Sequence, residues 1–433
     1  MDGKLEKTKE KISILKNKQF LGLWVSQVFS QVSTHTVNFA LITRVFNQTS
    51  SSIAVSILVF WFAAPAVLMG VLAGVYVDRW NRKMILILIN FFQALLVLGY
   101  FFAGTNIFLI YPIVFFYALL NQFFIPSEGA MIPTIVPKEK LVAANSFYLF
   151  TNYASFILGY ALAGPLIIFW GPNFIFFLAS SLLFVATLAV TVLPNDRKRA
   201  LYFRARNVRT PLLKNVRNGL SFIRRTGKVS FSIAHLLLVQ IVIAAILALG
   251  PSFAKYSLKI GVESISFALI APAGIGVAVG AFILNRIKER YKVYKLVKFG
   301  VVSASLILIL LTVTHKIGPL IKSWLLQNNG LQFLNFINLL FTVSLLVVLL
   351  GFFASFIIIP AQTILQEETP SDLRGRVFGI TGTLVNVMAL IPLLLFGILA
   401  DIFSAAMVFV ALGILMLGYG LFLEPKVEER VSA

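Results

Sequence analysis

The chain has 433 residues and no cysteine. Disulfides, thiolate metal sites and cysteine nucleophiles are excluded at once. Histidine is almost missing too. His35, His235 and His315 are the full set and stand far apart, so no histidine metal cluster is expected. Charge is scarce: 12% of residues are charged, where a soluble chain carries about 25%. So few cannot clothe a soluble surface of this size. The sequence holds no Gly-x-Ser-x-Gly, no His-Glu-x-x-His and no Gly-x-x-x-x-Gly-Lys-Ser/Thr, the motifs of common hydrolases and phosphate-cradling loops. Neither an enzyme nor ATP drive within this chain is expected, and no cofactor.

What is present is apolar. Hydrophobic residues make up 59%, and the mean hydropathy is +0.92. Disorder is excluded, because disordered chains are poor in apolar residues. A membrane-crossing helix needs about 20 mostly apolar residues. Twelve such runs are read, at 20–46, 52–77, 84–104, 108–128, 141–168, 173–193, 229–254, 263–285, 296–314, 336–360, 377–400 and 404–423. The fold class is an all-α polytopic membrane protein. Residues 1–19 alternate Lys with Glu and form no cleavable signal peptide.

The net charge of +21 fits this picture. With the N-terminus on one side, 32 of the 37 Lys and Arg fall in loops and tails on that side. The other side holds only Arg44, Lys255, Lys259, Lys316 and Lys322. Positive charge gathers on the cytoplasmic face, so both termini are expected in the cytoplasm of a cell-membrane protein. The basic loops face anionic lipid, and no nucleic acid partner is expected. A monomer working on a small amphipathic substrate is the expected assembly.

The organisation is 1–19, a cytoplasmic N-terminal segment; 20–193, a first six-helix bundle; 194–228, a basic linker; 229–423, a second six-helix bundle; and 424–433, a tail. The halves resemble each other. Pro126-Ser127-Glu128 and Pro360-Ala361-Gln362 are 234 residues apart, while Pro137 and Pro370, and Gly164 and Gly397, are 233 apart. A six-plus-six parallel repeat places a substrate path between two halves.

Between the second and third runs stand Gly74, Asp78, Arg79, Arg82 and Lys83. This resembles the Gly-x-Leu-Ala-Asp-Arg-x-Gly-Arg-Lys signature of the major facilitator superfamily. It departs at Asn81, where that family has Gly; Asn tolerates positive φ better than most residues. The resemblance implies a gating role for the five residues. Asp78 would face the positive N-terminus of the eleventh span, and the basic residues would pair with carboxylates or lipid phosphates. The stretches "IPSEGAMIPTIVPKEKLVAANS" and "IIPAQTILQEETPSDLRGRVFGI" are similar to the branch holding macrolide efflux proteins and siderophore exporters. The implied function is secondary export of amphipathic or hydrophobic small molecules by alternating access. The branch also resembles lysophospholipid transporters, which stand as the alternative. The proton-relay acid in span 1 and Arg in span 4 of many relatives are missing here.

Candidate path residues come from spacing. Gln27, Gln31, Thr34, His35 and Asn38 share one face of a helix, as do Asn145, Tyr148 and Asn152. Asn386 is a weaker candidate. A polar stripe facing lipid is costly, so it should face either a central path or neighbouring helices. Glu128 and His35 are the candidate coupling residues if a proton gradient drives transport, and Asp401 reads as a carboxylate at a wet interface.

The charge split generates a test of topology. In the cysteine-free background, Ser51→Cys should label with an impermeant maleimide from outside, and Thr210→Cys only from inside. Labelling of both from one side contradicts the twelve-span reading.

Overall fold

The structure is a computed structural model that describes residues 16–104, 106–195, 220–287, 290–327, 339–370 and 373–422. Most of the 194–228 linker, the far N-terminal segment and the tail lie outside the described residues.

Apolar runs of this length fold as helices because the helix satisfies its own backbone hydrogen bonds where no water can. The described residues form twelve long α-helices, α1 Lys18–Thr49, α2 Ser52–Arg79, α3 Arg82–Ala103, α4 Ile107–Ile135, α5 Leu141–Trp170, α6 Pro172–Val190, α7 Gly227–Ser252, α8 Ala271–Ile287, α9 Val293–Gln327, α10 Leu339–Glu367, α11 Arg374–Ile402 and α12 Ala405–Leu421. The described residues contain no strand. Two π-helical turns, Phe253–Leu258 and Ser266–Ile270, extend α7 and precede α8.

Among the described residues, ten stretches are long and apolar enough to cross a membrane. The remaining two expected spans need comment. α1 has 32 residues but is diluted by its polar stripe, and α12 is short at 17 residues. The apolar stretch of the ninth span ends at Thr314, but the helix does not stop there. α9 continues unbroken through Gln327. Gly318 and Pro319 both stand in this stretch, and the helix runs through them although a proline in a helix interior removes a backbone donor and costs about 3 kcal/mol.

The chain forms two compact units, one of residues 1–44 and 61–209, the other of 45–60 and 210–433. The turn between α1 and α2, with the ends of both helices, therefore clusters with the second unit.

In the first unit α1 is the hub. Ser26 receives a hydrogen bond from Asn90 of α3, Thr34 bonds Tyr117 of α4, Thr36 donates to Gly159 O of α5, and Ser33 donates to Ala179 O of α6. Glycines bring these helices together. A Cβ at Gly22 would lie 2.7 Å from Ala189 O, and one at Gly159 2.7 Å from the Cβ of His35. An apolar cluster with Phe20, Leu86, Phe124, Met131 and Leu193 fills the end near the α2–α3 turn.

In the second unit α8 packs on α10, α9 on α10 and α12, and α7 on α10 and α11. α8 and α10 touch backbone to backbone: a Cβ at Gly276 would overlap Val348 O, and one at Gly351 would overlap Ala273 O. Small residues at such contacts are the usual means of helix association in lipid.

Overpacking of a filled contact costs about 1–3 kcal/mol or more. Gly276→Leu should therefore lower the melting temperature and the yield of monodisperse protein. Gly418→Ala, with no atom within 4 Å of the added carbon, should leave both unchanged. Equal behaviour of the two variants would contradict the α8–α10 contact.

Candidate functional site

The α2–α3 turn is built from the motif residues. Asn81 has φ −71° and an extended backbone, and its side chain accepts from Met84 N as the N-cap of α3. The turn needs no positive φ here, so Asn81 replaces glycine by capping rather than by conformational tolerance. Its Nδ2 also donates to Asn195 Oδ1 at 2.7 Å. Lys83 Nζ donates to Thr191 O at 2.6 Å and Leu193 O at 2.7 Å. It thereby satisfies carbonyls at the end of α6, a common use of lysine at a helix C-terminus. Arg82 is buried and donates to Ala130 O of α4 at 2.9 Å. Lys83 thus serves carbonyls here, and Arg82 too has a carbonyl among its partners. Asp78 and Arg79 end α2, but their side chains, and the surroundings of Gly74, lie outside what is described.

The polar candidates of α1, α4 and α5 divide into three groups inside the first unit. In the first, Tyr148 Oη donates to Glu128 Oε2 at 2.5 Å. Glu128 is fully buried, and its Oε1 has no hydrogen-bond partner. Gln27 joins this group: its Nε2 donates to Tyr148 O at 3.0 Å, and its Oε1 accepts from Thr151 Oγ1 at 3.0 Å. Trp24 packs on Phe147 with ring centroids 5.3 Å apart, and its indole N–H is unpaired.

The second group surrounds His35. Its ring lies 4.8 Å from Phe156 and 5.5 Å from Tyr160, centroid to centroid, and its Nδ1 has no partner. Asn38 hydrogen-bonds Tyr160, and its Oδ1 is left unpaired. The third group joins Thr34, Tyr117, Gln93, Asn90 and Ser26 through bonds among α1, α3 and α4.

The stripe on α1 is therefore split. Gln27 and Thr34 spend their polar atoms on neighbouring helices, whereas His35 and Asn38 keep atoms free. Gln31 is buried. On α5, Asn145 is exposed and Asn152 half-buried. The side chain of Asn386 lies outside what is described. The bond joining Tyr148 to Glu128 was not foreseen, nor the roles of Trp24, Thr151 and Tyr117. The Glu128–Tyr148 spacing spans a turn and two helices, and no helical periodicity reports it.

Among the described residues, no group of three or more His, Asp or Glu could hold a metal ion.

The sequence profile of the Major Facilitator Superfamily matches residues 23–327. The chain belongs to this superfamily. It is 24% identical over 423 residues to YfiS of Bacillus subtilis (strain 168), an uncharacterized MFS-type transporter, covering 95% of this chain and 94% of that protein. It is 22% identical over 392 residues to macrolide efflux protein A of Streptococcus pyogenes, covering 88% and 89%. Two solved folds are similar. The nucleoside transporter NupG has a TM-score of 0.67 at 12% identity, covering 96% of this chain and 99% of that one. A bacterial homolog to the human lysosomal transporter Spinster scores 0.68 at 12% identity, covering 95% of each. At such identities the likeness concerns the fold. The protein is a multi-pass membrane transporter with the major facilitator fold.

Proposed function

We propose that this transporter exports amphipathic or hydrophobic small molecules by alternating access, driven by protons entering through Glu128. It sits in the cell membrane with both termini in the cytoplasm, as the 32-to-5 split of basic residues supports. The efflux direction is supported by the likeness to macrolide efflux protein A over 88% of the chain.

The observation that carries the coupling is the carboxyl of Glu128. It is enclosed, held by one hydroxyl at Oε2 and unpaired at Oε1. An ionised carboxylate enclosed with so few donors is costly, and the cost falls when water reaches it. Proton occupancy of Glu128 then follows its exposure, which is what a carrier between two openings requires. Tyr148 positions the carboxyl, and Gln27 and Thr151 tie the α5 backbone at Tyr148 to α1. His35 and Asn38, with free polar atoms beside Phe156 and Tyr160, make a surface for an amphipathic substrate: rings for its apolar body, two hydrogen-bonding atoms for its polar groups. The motif residues Gly74, Asp78, Arg79, Arg82 and Lys83 serve the gate on the cytoplasmic side.

Proteoliposomes with an imposed pH gradient test this reading. Glu128→Gln fixes the shape of the neutral acid. It should reduce gradient-driven accumulation to the level seen without a gradient, while exchange between equal concentrations continues. Tyr148→Phe should keep exchange and move the pH profile of uphill transport. His35→Gln should weaken substrate binding. A macrolide and a lysophospholipid, supplied in parallel, separate drug export from lipid movement. Unchanged pH dependence in Glu128→Gln removes Glu128 from the coupling step.

A further inference from the structure

The third polar group of the first unit, between α1, α3 and α4, has no part in the transport reading above. It holds more buried oxygen than it satisfies. Four side-chain oxygens there are enclosed and without a partner: Ser30 Oγ on α1, Asn90 Oδ1 and Gln93 Oε1 on α3, and Asn121 Oδ1 on α4. Ser30, Asn90 and Gln93 are each at most 1% exposed. A buried polar atom left unpaired costs free energy, and native structures rarely keep several such atoms together unless something completes them.

Helix register places the four at one depth of the bundle. At the start of α1, Asn17 Nδ2 donates to Ile135 O, the last residue of α4. Further along, Thr34 bonds Tyr117 Oη. The two helices therefore run antiparallel, each step forward on α1 matching a step back on α4, and Ser30 falls level with Asn121. On α3, Arg82 donates to Ala130 O and Gln93 Nε2 to Tyr117 O of α4. The same matching puts Asn90 level with Asn121 as well. Gln93 follows one turn later on α3. Ser30 stands one turn from Ser26, which accepts from Asn90 Nδ2, and one turn from Thr34. Residues four apart share a helix face, so Ser30 faces the seam that its neighbours close.

The groups in this seam also share one polarity. Asn90 gives its Nδ2 to Ser26, and Gln93 gives its Nε2 to a main-chain carbonyl. Each amide is left presenting oxygen. Converging oxygen dipoles are what replaces the hydration shell of a cation in an ion filter. Divalent cations take carboxylate ligands. Glu128, the carboxylate on α4, stands two turns away from Asn121 and is bonded to Tyr148. Four neutral oxygens suit a single charge.

We propose that Ser30, Asn90, Gln93 and Asn121 bind one alkali cation, Na⁺ or K⁺, in the seam between α1, α3 and α4. All four ligands belong to the first unit, so the ion is a resident that joins three helices of one bundle and is not a cargo. The proposal rests on neither the substrate nor the Glu128 step.

Thermal unfolding of the purified full chain tests it without substrate or gradient. The protein is exchanged into choline chloride, and NaCl or KCl then replaces choline at constant ionic strength. The preferred cation should raise the Tm by about 2–4 °C for a tenfold increase above its dissociation constant, because it binds only the folded state. Choline should give no rise, and the sodium and potassium arms tell which ion is held. Ser30→Ala and Asn121→Leu each remove one oxygen. Each should weaken the apparent affinity by at least the loss seen when an outer-shell partner of a metal is removed, about tenfold. Equal Tm in all three salts overturns the proposal and leaves the four oxygens to bound water. A cation response that both variants keep unchanged overturns it too, by placing the ion elsewhere. If Asn121→Leu does not fold, Ser30→Ala, the smaller change, carries the test.

Discussion

A polar atom inside a membrane protein must find its partner in the protein, because lipid offers none. This constraint arranges the first unit. α1 carries more polar side chains than a lipid-facing helix could hold, and hydrogen bonds connect it to α3, α4, α5 and α6. Two of those bonds end on main-chain carbonyls, of Gly159 and Ala179, and two join side chains. Buried atoms of α1 remain unpaired at Trp24, Ser30, His35, Asn38 and Thr43, and those of His35 and Asn38 lie together beside Phe156 and Tyr160. Such atoms are the natural places for a polar ligand to complete the set.

The same economy explains the α2–α3 turn. A cluster of basic residues at a membrane edge reads first as a charge device. In the structure Lys83 and Arg82 donate to main-chain carbonyls of α6 and α4. They join three helices at one end of the bundle, and their charge strengthens bonds that neutral donors would make more weakly.

How much of this was legible in the sequence differs by level. Helix number and order follow from apolar runs, because length and hydropathy decide what spans a bilayer. α1 reads as an apolar run like the others, at 20–46, although its polar stripe lowers its hydropathy. α9 runs on past the end of its apolar span at Thr314, and Lys316 and Lys322 lie within that continuous helix. At the candidate site, Glu128, Tyr148 and Gln27 were each visible as polar groups in apolar runs. Their mutual contact was not, because it joins three helices at separations of 20 and 121 residues.

The hub role of α1 has a consequence for how the protein is made. α1 is synthesised before every helix that satisfies it. It is not among the ten stretches apolar enough to cross a membrane on length and composition, and its partners on α5 and α6 emerge more than 100 residues later, at Gly159 and Ala179. The insertion machinery must therefore shelter a helix that lipid alone would reject until the rest of its bundle arrives. α1 enters the membrane before the helices that complete it, and a chain released before α6 would expose that polar stripe to lipid or to quality control.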